Sequence, residues 1–299
     1  MKTTQHWIAA LVTSIGLLAC GGGGGGGSTV VPPTAPTKLV GEIFSKTSEL
    51  TSSELKFTAG YTGNVAVSRA LQAAGKQNLL DLLFMFAPGT AQGNPRTSIA
   101  PDAEQRLVQY AKDNADLLTP GIRVLVADEV YWNPAAPTDS VNDLQAQLDA
   151  LSAAIALVRK HIPQASIGIT ITPYSAFGKP NTLEFIKRAI ALVNWVGTDP
   201  YWFGEPADIP KLHDWSKTFH ALAKQANPQV ETWFIAQAFK QPAWSSATYN
   251  SFTAEQLGYA DQYDHIIFFG WQFVSEIDLS TAGVNFTPET KRLYQKYLK

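Results

Sequence analysis

The residues of this chain best suited to chemistry are two adjacent carboxylates, Asp128 and Glu129, followed at once by Tyr131 and Trp132. They end the run Val124-Leu125-Val126-Ala127, whose apolar, β-branched character reads as a buried strand. A carboxylate is costly to bury, so the pair belongs at the exit of that strand. Breaking a glycosidic bond takes one carboxyl that holds its proton and another that stays ionised, and flat rings offer a surface to the C–H face of a sugar. Partial desolvation by Tyr131 and Trp132 would raise one carboxyl pKa and leave the other ionised. The plainer alternative is a loop in which Asp128 and Glu129 cap a helix. Neighbours on a strand point to opposite faces, so both reach one site only if the strand bends at its exit. If it does not, Asp199 in Gly197-Thr198-Asp199-Pro200-Tyr201-Trp202 is the best second carboxylate, ahead of Glu42 and Glu276. Thr-Asp-Pro is also a common turn, so Asp199 has a structural reading too.

The elements that must position these groups alternate between short apolar runs and long amphipathic stretches, the pattern of an α/β fold with parallel strands. Strands are expected at 39–44, 55–61, 82–87, 123–131, 166–173, 195–201, 232–239 and 265–273. Eight strands suffice to close a barrel. The link 45–54 is too short for an ordinary helix, so the order of the first two is open. Between the others, Asp139 or Ser140 caps a helix whose apolar residues recur at Val141, Leu144, Leu148, Leu151, Ile155 and Val158, and Pro163 stops it after His161. Stretches 101–118, 181–193 and 208–225 repeat that pattern, and Thr287-Pro288 opens a closing helix. The expected fold is a single (β/α)8, or TIM, barrel over 37–299. A doubly wound open sheet is the rival, but no Gly-rich phosphate turn follows any strand. In such a barrel the strand exits form the catalytic face. Here they collect aromatic and amide side chains: Tyr131, Trp132, Tyr174, Tyr201, Trp202, Gln237 and Trp271. Any one ring is more often core than platform. Repetition at one register favours a groove, with Trp132, Trp202 and Trp271 lining one cleft.

Residues 1–19 carry a positive start at Lys2 and an apolar core from Trp7 to Leu18, too short to span a bilayer. They end in Leu17-Leu18-Ala19-Cys20, followed by seven glycines, Gly21 to Gly27, and a Pro-rich stretch to Pro36. This resembles the bacterial lipoprotein signal and a flexible tether over 20–36. The resemblance implies lipid on Cys20, export, and anchoring in the cell envelope, with Gly21 implying the outer membrane. An ordinary secretory signal cleaved near Ala19 is the alternative. Cys20 is the sole cysteine, so the domain has neither disulfides nor thiol chemistry. The net charge of −2 without a basic block argues against nucleic acid. The histidines at 6, 161, 213, 220 and 265 show no zinc spacing, and those at 213 and 220 are expected to face solvent. No Gly-x-Ser-x-Gly elbow is present. Neither a metal nor a cofactor is expected, and a monomer is.

From about residue 37 onward the chain resembles the retaining (β/α)8 glycoside hydrolases. That resemblance implies a general acid at the end of the fourth strand, here Glu129. It also implies a glutamate nucleophile ending the seventh strand, where this chain has Gln237. An amide is no nucleophile. Asp128-Glu129-Val130 resembles part of the Gly-Gly-Asp-Glu-Val motif of exported β-N-acetylhexosaminidases, with Val126-Ala127 in place of the glycines. There the substrate's own acetamide attacks, the residue matching Asp128 steadies it, and the one matching Glu129 is acid and then base. Chitinase-like barrels, similar in carrying Tyr and Asp on strand six and Trp on strand eight, have comparable residues in Asp199, Tyr201 and Trp271. The expected function is hydrolysis of a polysaccharide, with Asp128, Glu129 and Asp199 catalytic. The alternative is an envelope lipoprotein that binds glycan without cutting it.

Overall fold

Where apolar β-branched residues alternate with smaller ones, the backbone extends, and where apolar residues recur every third or fourth position, it coils and packs back on the strand before it. The structure is a computed structural model and describes residues 37–86, 97–132, 138–201, 206–240, 244–271, 280–281 and 287–299. The strands are β1 (Val40–Ile43), β2 (Ala59–Thr62), β3 (Gln77–Asp81), β4 (Arg123–Ala127), β5 (Ser166–Ile171), β6 (Trp195–Thr198), β7 (Glu231–Gln237) and β8 (His265–Phe269). Each pairs in parallel with the next, and β8 pairs with β1, so the eight form a closed barrel. The helices are α1 (Ser48–Ser52), α2 (Val65–Ala73), α3 (Ala103–Asp113), α4 (Val141–His161), α5 (Pro180–Ile190), α6 (Ile209–Ala226), α7 (Ser246–Ala260) and α8 (Pro288–Leu293). The barrel and its helices belong to one unit, Lys38–Lys299. The signal, the tether and Cys20 lie outside the described residues.

Side chains alternate between two cores. Ala59, Leu79, Leu125, Trp195, Trp233 and Ile267 fill the inside of the barrel. Val124, Val126, Ile167, Ile169, Val196, Phe234 and Phe268 face the helices. The floor, at the strand N-termini, is closed by Trp195 and Trp233, whose rings lie 6.2 Å apart. Arg123 grips Glu231 there through two guanidinium nitrogens at 2.9 to 3.1 Å. Burial would push the Glu231 carboxyl up, but hydrogen bonds from His265 and Arg123, and their charge, hold it below the usual carboxylate range. Gly168 is required opposite Trp195: a Cβ on it would stand 2.0 Å from the indole.

Helix starts follow the expected caps. Ser140 accepts from the Asp143 N–H, and Thr287 from the Thr290 N–H. The third strand is a correction. It is Gln77–Asp81, not 82–87, because the Asp81 carboxylate accepts the Leu83 N–H at 2.7 Å and turns the chain. Leu83–Met85 then coils as a 3-10 turn, and Leu82 and Met85 bury against the helices. The second strand starts only at Ala59, since Leu55 and Lys56 pair instead with Leu298 and Tyr297. The 45–54 link holds the five-residue α1. Helices α2 and α7 were not anticipated. The first is capped by Asn64, and the second buries Asn250, Thr253 and Gln256, which hide its apolar face.

Candidate active site

Strand β4 ends at Ala127, and the chain turns sharply. Its register against β5 shifts between Leu125 and Ala127, and two non-glycine residues follow at positive φ, Glu129 at 47° and Tyr131 at 66°. Such conformations cost about 1–3 kcal/mol each and persist where the surroundings enforce them. Thr170, on the interior face of β5, does the enforcing. Its hydroxyl accepts the Glu129 N–H at 2.7 Å and donates to Asp128 Oδ1 at 2.5 Å. The Val130 N–H is held by the Thr170 carbonyl at 3.0 Å. The bend therefore exists, and both acids belong to one exit.

Asp199 follows β6 with the alternation of Trp195 and Gly197, so it continues the interior face. It is 5 % exposed, Glu129 is 6 % exposed, and the two carboxyls share a hydrogen bond. Burial first, then the charges of Glu129 and Asp128 and the hydrogen bond with Glu129, push the Asp199 carboxyl well above the usual range. Its Oδ1 is buried without a partner among the described residues, so a full charge there would be unmatched. Asp199 therefore favours its protonated form, and Asp128, half-buried on Thr170, stands beside the pair.

A fourth carboxyl joins the same face. Asp81 ends β3, accepts from the Tyr61 hydroxyl at 3.1 Å, and with Asp128 raises the Tyr61 phenol beyond what burial alone does. Neither Asp81 nor Thr170 was singled out from the sequence. Asp81 had a legible signal, since Leu79-Leu80-Asp81 is an apolar run ending in a carboxylate, as at Asp128. Thr170, inside Ile169-Thr170-Ile171, had none.

The aromatic set divides. Tyr174 donates to the Tyr201 carbonyl at 3.2 Å, and Tyr201 stacks on Phe269 at 5.3 Å with its edge toward Phe239. This half-buried patch joins the exits of β5, β6 and β8. Trp132, also half-buried, lines a narrow pocket with Glu129, Phe86, Gln147 and Leu151. Trp202 lies outside the described residues, as does Glu276. Two expectations fail. Tyr131 is 4 % exposed and packs edge-on against Phe185, because its positive φ swings the ring outward beneath the helices. Trp271 is 1 % exposed, its indole against Phe268 and Tyr294, so it offers no ring face to a sugar. Gln237 is buried at the β7 exit, its amide donating to the Phe239 carbonyl at 3.1 Å. Glu42 is fully buried on the outer face of β1, where the Ser53 hydroxyl donates to it at 2.6 Å, and it takes no part in the site. His213 and His220 are half-buried rather than solvated, bonded to Tyr259 and Thr232.

No protein-family model and no curated protein matches the chain. Solved structures do. The chain is similar to a psychrophilic family 10 endo-β-1,4-xylanase, with TM-score 0.58 and 9% identity over 86% of this chain and 96% of that one. It is similar to the mannanase BCman of Bacillus subtilis, with TM-score 0.53 and 13% identity over 89% and 87%. A third is PbGH5A of Prevotella bryantii, a family 5 glycoside hydrolase solved with a xyloglucan tetradecasaccharide, with TM-score 0.50 and 12% identity over 84% of each chain. Identities this low establish a common fold: the chain is a (β/α)8 barrel of the architecture these polysaccharide hydrolases use.

Proposed function

We propose that the chain is a glycoside hydrolase that cuts a polysaccharide at the strand exits of its barrel, with Glu129 as general acid and base and Asp199 as keeper of its proton. The observation that carries this reading is the hydrogen-bonded Glu129–Asp199 pair, buried at the barrel mouth, with the Asp199 carboxyl held well above the usual range. An acid that works at neutral pH must still hold its proton there, and a neighbouring buried carboxyl supplies that condition. Glu129 gives the proton to the glycosidic oxygen, the sugar leaves as an alcohol, and the Glu129 carboxylate then deprotonates the incoming water. Asp128, oriented by Thr170, lies beside the pair and stabilises the positive oxocarbenium-like transition state.

Asp199 is not the nucleophile. A nucleophile and an acid that flank a sugar stand about 5 Å or more apart, whereas two carboxyls in hydrogen-bond contact leave no room for the anomeric carbon. Gln237 occupies the β7 exit, where an amide cannot attack. Both facts support attack by the substrate's own 2-acetamido group, the chemistry implied by the likeness of Asp128-Glu129-Val130 to the exported β-N-acetylhexosaminidases. The substrate is then a polymer of N-acetylated amino sugars, met by the Tyr174–Tyr201 patch and Trp132. We place the protein at the envelope through lipid on Cys20.

Aryl glycosides of graded leaving-group acidity, with and without a 2-acetamido group, test this. Glu129→Gln lowers turnover by about 10²–10⁴-fold on poor leaving groups and by less on good ones, which need no proton. Asp199→Asn lowers turnover, because the carboxyl that shares a hydrogen bond and a proton with Glu129 is then gone. Wild-type rates from Glu129→Gln on a poor leaving group would refute the assignment. A specific observation favours the second reading, a glycan binder: Gln237 where a nucleophile is usual. Tight glycan binding by a wild-type protein that turns over none of these substrates would establish it.

A further inference from the structure

The outer wall carries a second concave site, between α1 and α2. It exists because α1 has five residues, whereas α3 to α7 have eleven to twenty-one. A five-residue helix rises only about 7.5 Å and cannot cover the wall beside α2. The uncovered space is a groove of about 400 Å³, open to solvent, floored by Leu50, Phe57 and Ala70 and rimmed by Lys56, Lys76 and Lys299. Lys76 Nζ lies 5.0 Å and Lys299 Nζ 5.9 Å from the centre of the Phe57 ring.

Charge balance distinguishes these three lysines from their neighbours. Lys291 pairs with Glu54, Lys296 with Asp261 and Lys224 with Asp264, while Lys38 donates to the carbonyls of Ala260 and Tyr263. Among the described residues no carboxylate pairs with Lys56, Lys76 or Lys299. Two ammonium groups, Lys56 and Lys76, with no carboxylate partner among the described residues, stand over an apolar floor and call for an occupant with an anionic head and an apolar body. We propose that this groove binds an anionic phospholipid, its phosphate between Lys56 and Lys76 and its glycerol and acyl portion over Phe57, Leu50 and Ala70. A free phosphate has no use for the floor, and a nucleic acid would require a longer basic track.

The location gives the site a purpose. Lys56 and Phe57 lead into β2 and Lys76 into β3, so the groove opens at the strand N-terminal end, opposite the exits that hold Glu129 and Asp199. Lys38 leads into β1 at that same end. A lipid held there turns the carboxyl-lined mouth away from the bilayer. The inference stands whether or not the mouth cleaves glycan.

The test uses the full-length chain carrying Cys20→Ala, so that acylation cannot drive membrane association. The protein co-sediments with phosphatidylcholine vesicles containing phosphatidylglycerol and not with phosphatidylcholine alone. Each lysine near an anionic surface is worth about five-fold in partitioning, so Lys56→Gln with Lys76→Gln reduces binding about twenty-five-fold. Ala70→Trp fills the floor without changing charge and also weakens binding, and melting curves confirm that each variant is folded. Vesicle binding that survives both sets of changes overturns the proposal. So does lysine-dependent binding of inorganic phosphate, seen as amide shifts by NMR, without any binding to anionic vesicles.

Discussion

Asp199 sets the balance between stability and chemistry at the level of single residues. Its folded pKa lies above the unfolded one, because burial and the adjacent Glu129 and Asp128 disfavour its charge. A carboxyl shifted upward contributes stability that is complete below its unfolded pKa, near 3.9, and lost as pH rises through the folded value. Asn does not titrate. Asp199→Asn therefore melts at a higher temperature than wild type at pH 8, by a margin that narrows as the pH approaches 4. Thermal unfolding across that range checks this, and a margin independent of pH would show that the Asp199 proton is not retained on folding. Glu129 makes the same compromise through its backbone. At φ 47° it occupies a conformation that favours glycine, and the Thr170 hydroxyl and the shifted β4–β5 register help keep it there. Its place at the exit of the fourth strand was legible from the sequence; its backbone was not, since no residue type at 128–131 signals a left-handed turn.

Among the elements, β5 does more than fill a place in the sheet. Its Thr170 fixes the acid turn, and its Gly168 admits the Trp195 indole to the barrel floor. Gly168→Ala puts a methyl 2.0 Å from a ring already held by its Nε1 bond to the Ser166 carbonyl, so backbone or indole must move. The expected loss is about 1–3 kcal/mol in urea unfolding, and an unchanged midpoint would mean that the floor is looser than its contacts imply. Strands β4 to β8 were legible because their apolar runs are uninterrupted and β-branched. The third was misplaced because Leu82-Leu83-Phe84-Met85 is the more apolar run, yet Asp81 ends the strand before it by capping the turn. Helix α4 was legible from its spacing and its Ser140 cap, whereas α7 escaped notice because buried Asn250, Thr253 and Gln256 break the apolar stripe. The aromatic repetition was half informative. Tyr174 and Tyr201 do meet at the exits, but Trp271 shares their position in sequence and turns into the helical layer, a choice set by side-chain direction rather than residue type.

For the whole molecule, the proposed lipid anchor makes a direct prediction. Wild-type protein sediments with membranes after cell fractionation, and Cys20→Ala moves most of it to the soluble fraction, since several acyl chains hold far more firmly than any protein–lipid contact of this size. Wild-type sedimentation from the alanine variant would remove Cys20 as the anchor. Ring closure also has a consequence for how the chain becomes a protein at all. The last strand, His265–Phe269, zips onto the first, Val40–Ile43, and His265 Nδ1 accepts the N–H of Leu39, 226 positions earlier. Long-range pairing of this kind is slow, because a large loop must close before any contact rewards it. Until residue 269 has arrived, the partial sheet has two unpaired edges, one on β1 and one on β7. A chain emerging during synthesis therefore spends nearly all of that time as an open, adhesive ribbon. Chains truncated after residue 260 are expected to precipitate, or to stay bound to chaperones, where the full-length protein is soluble.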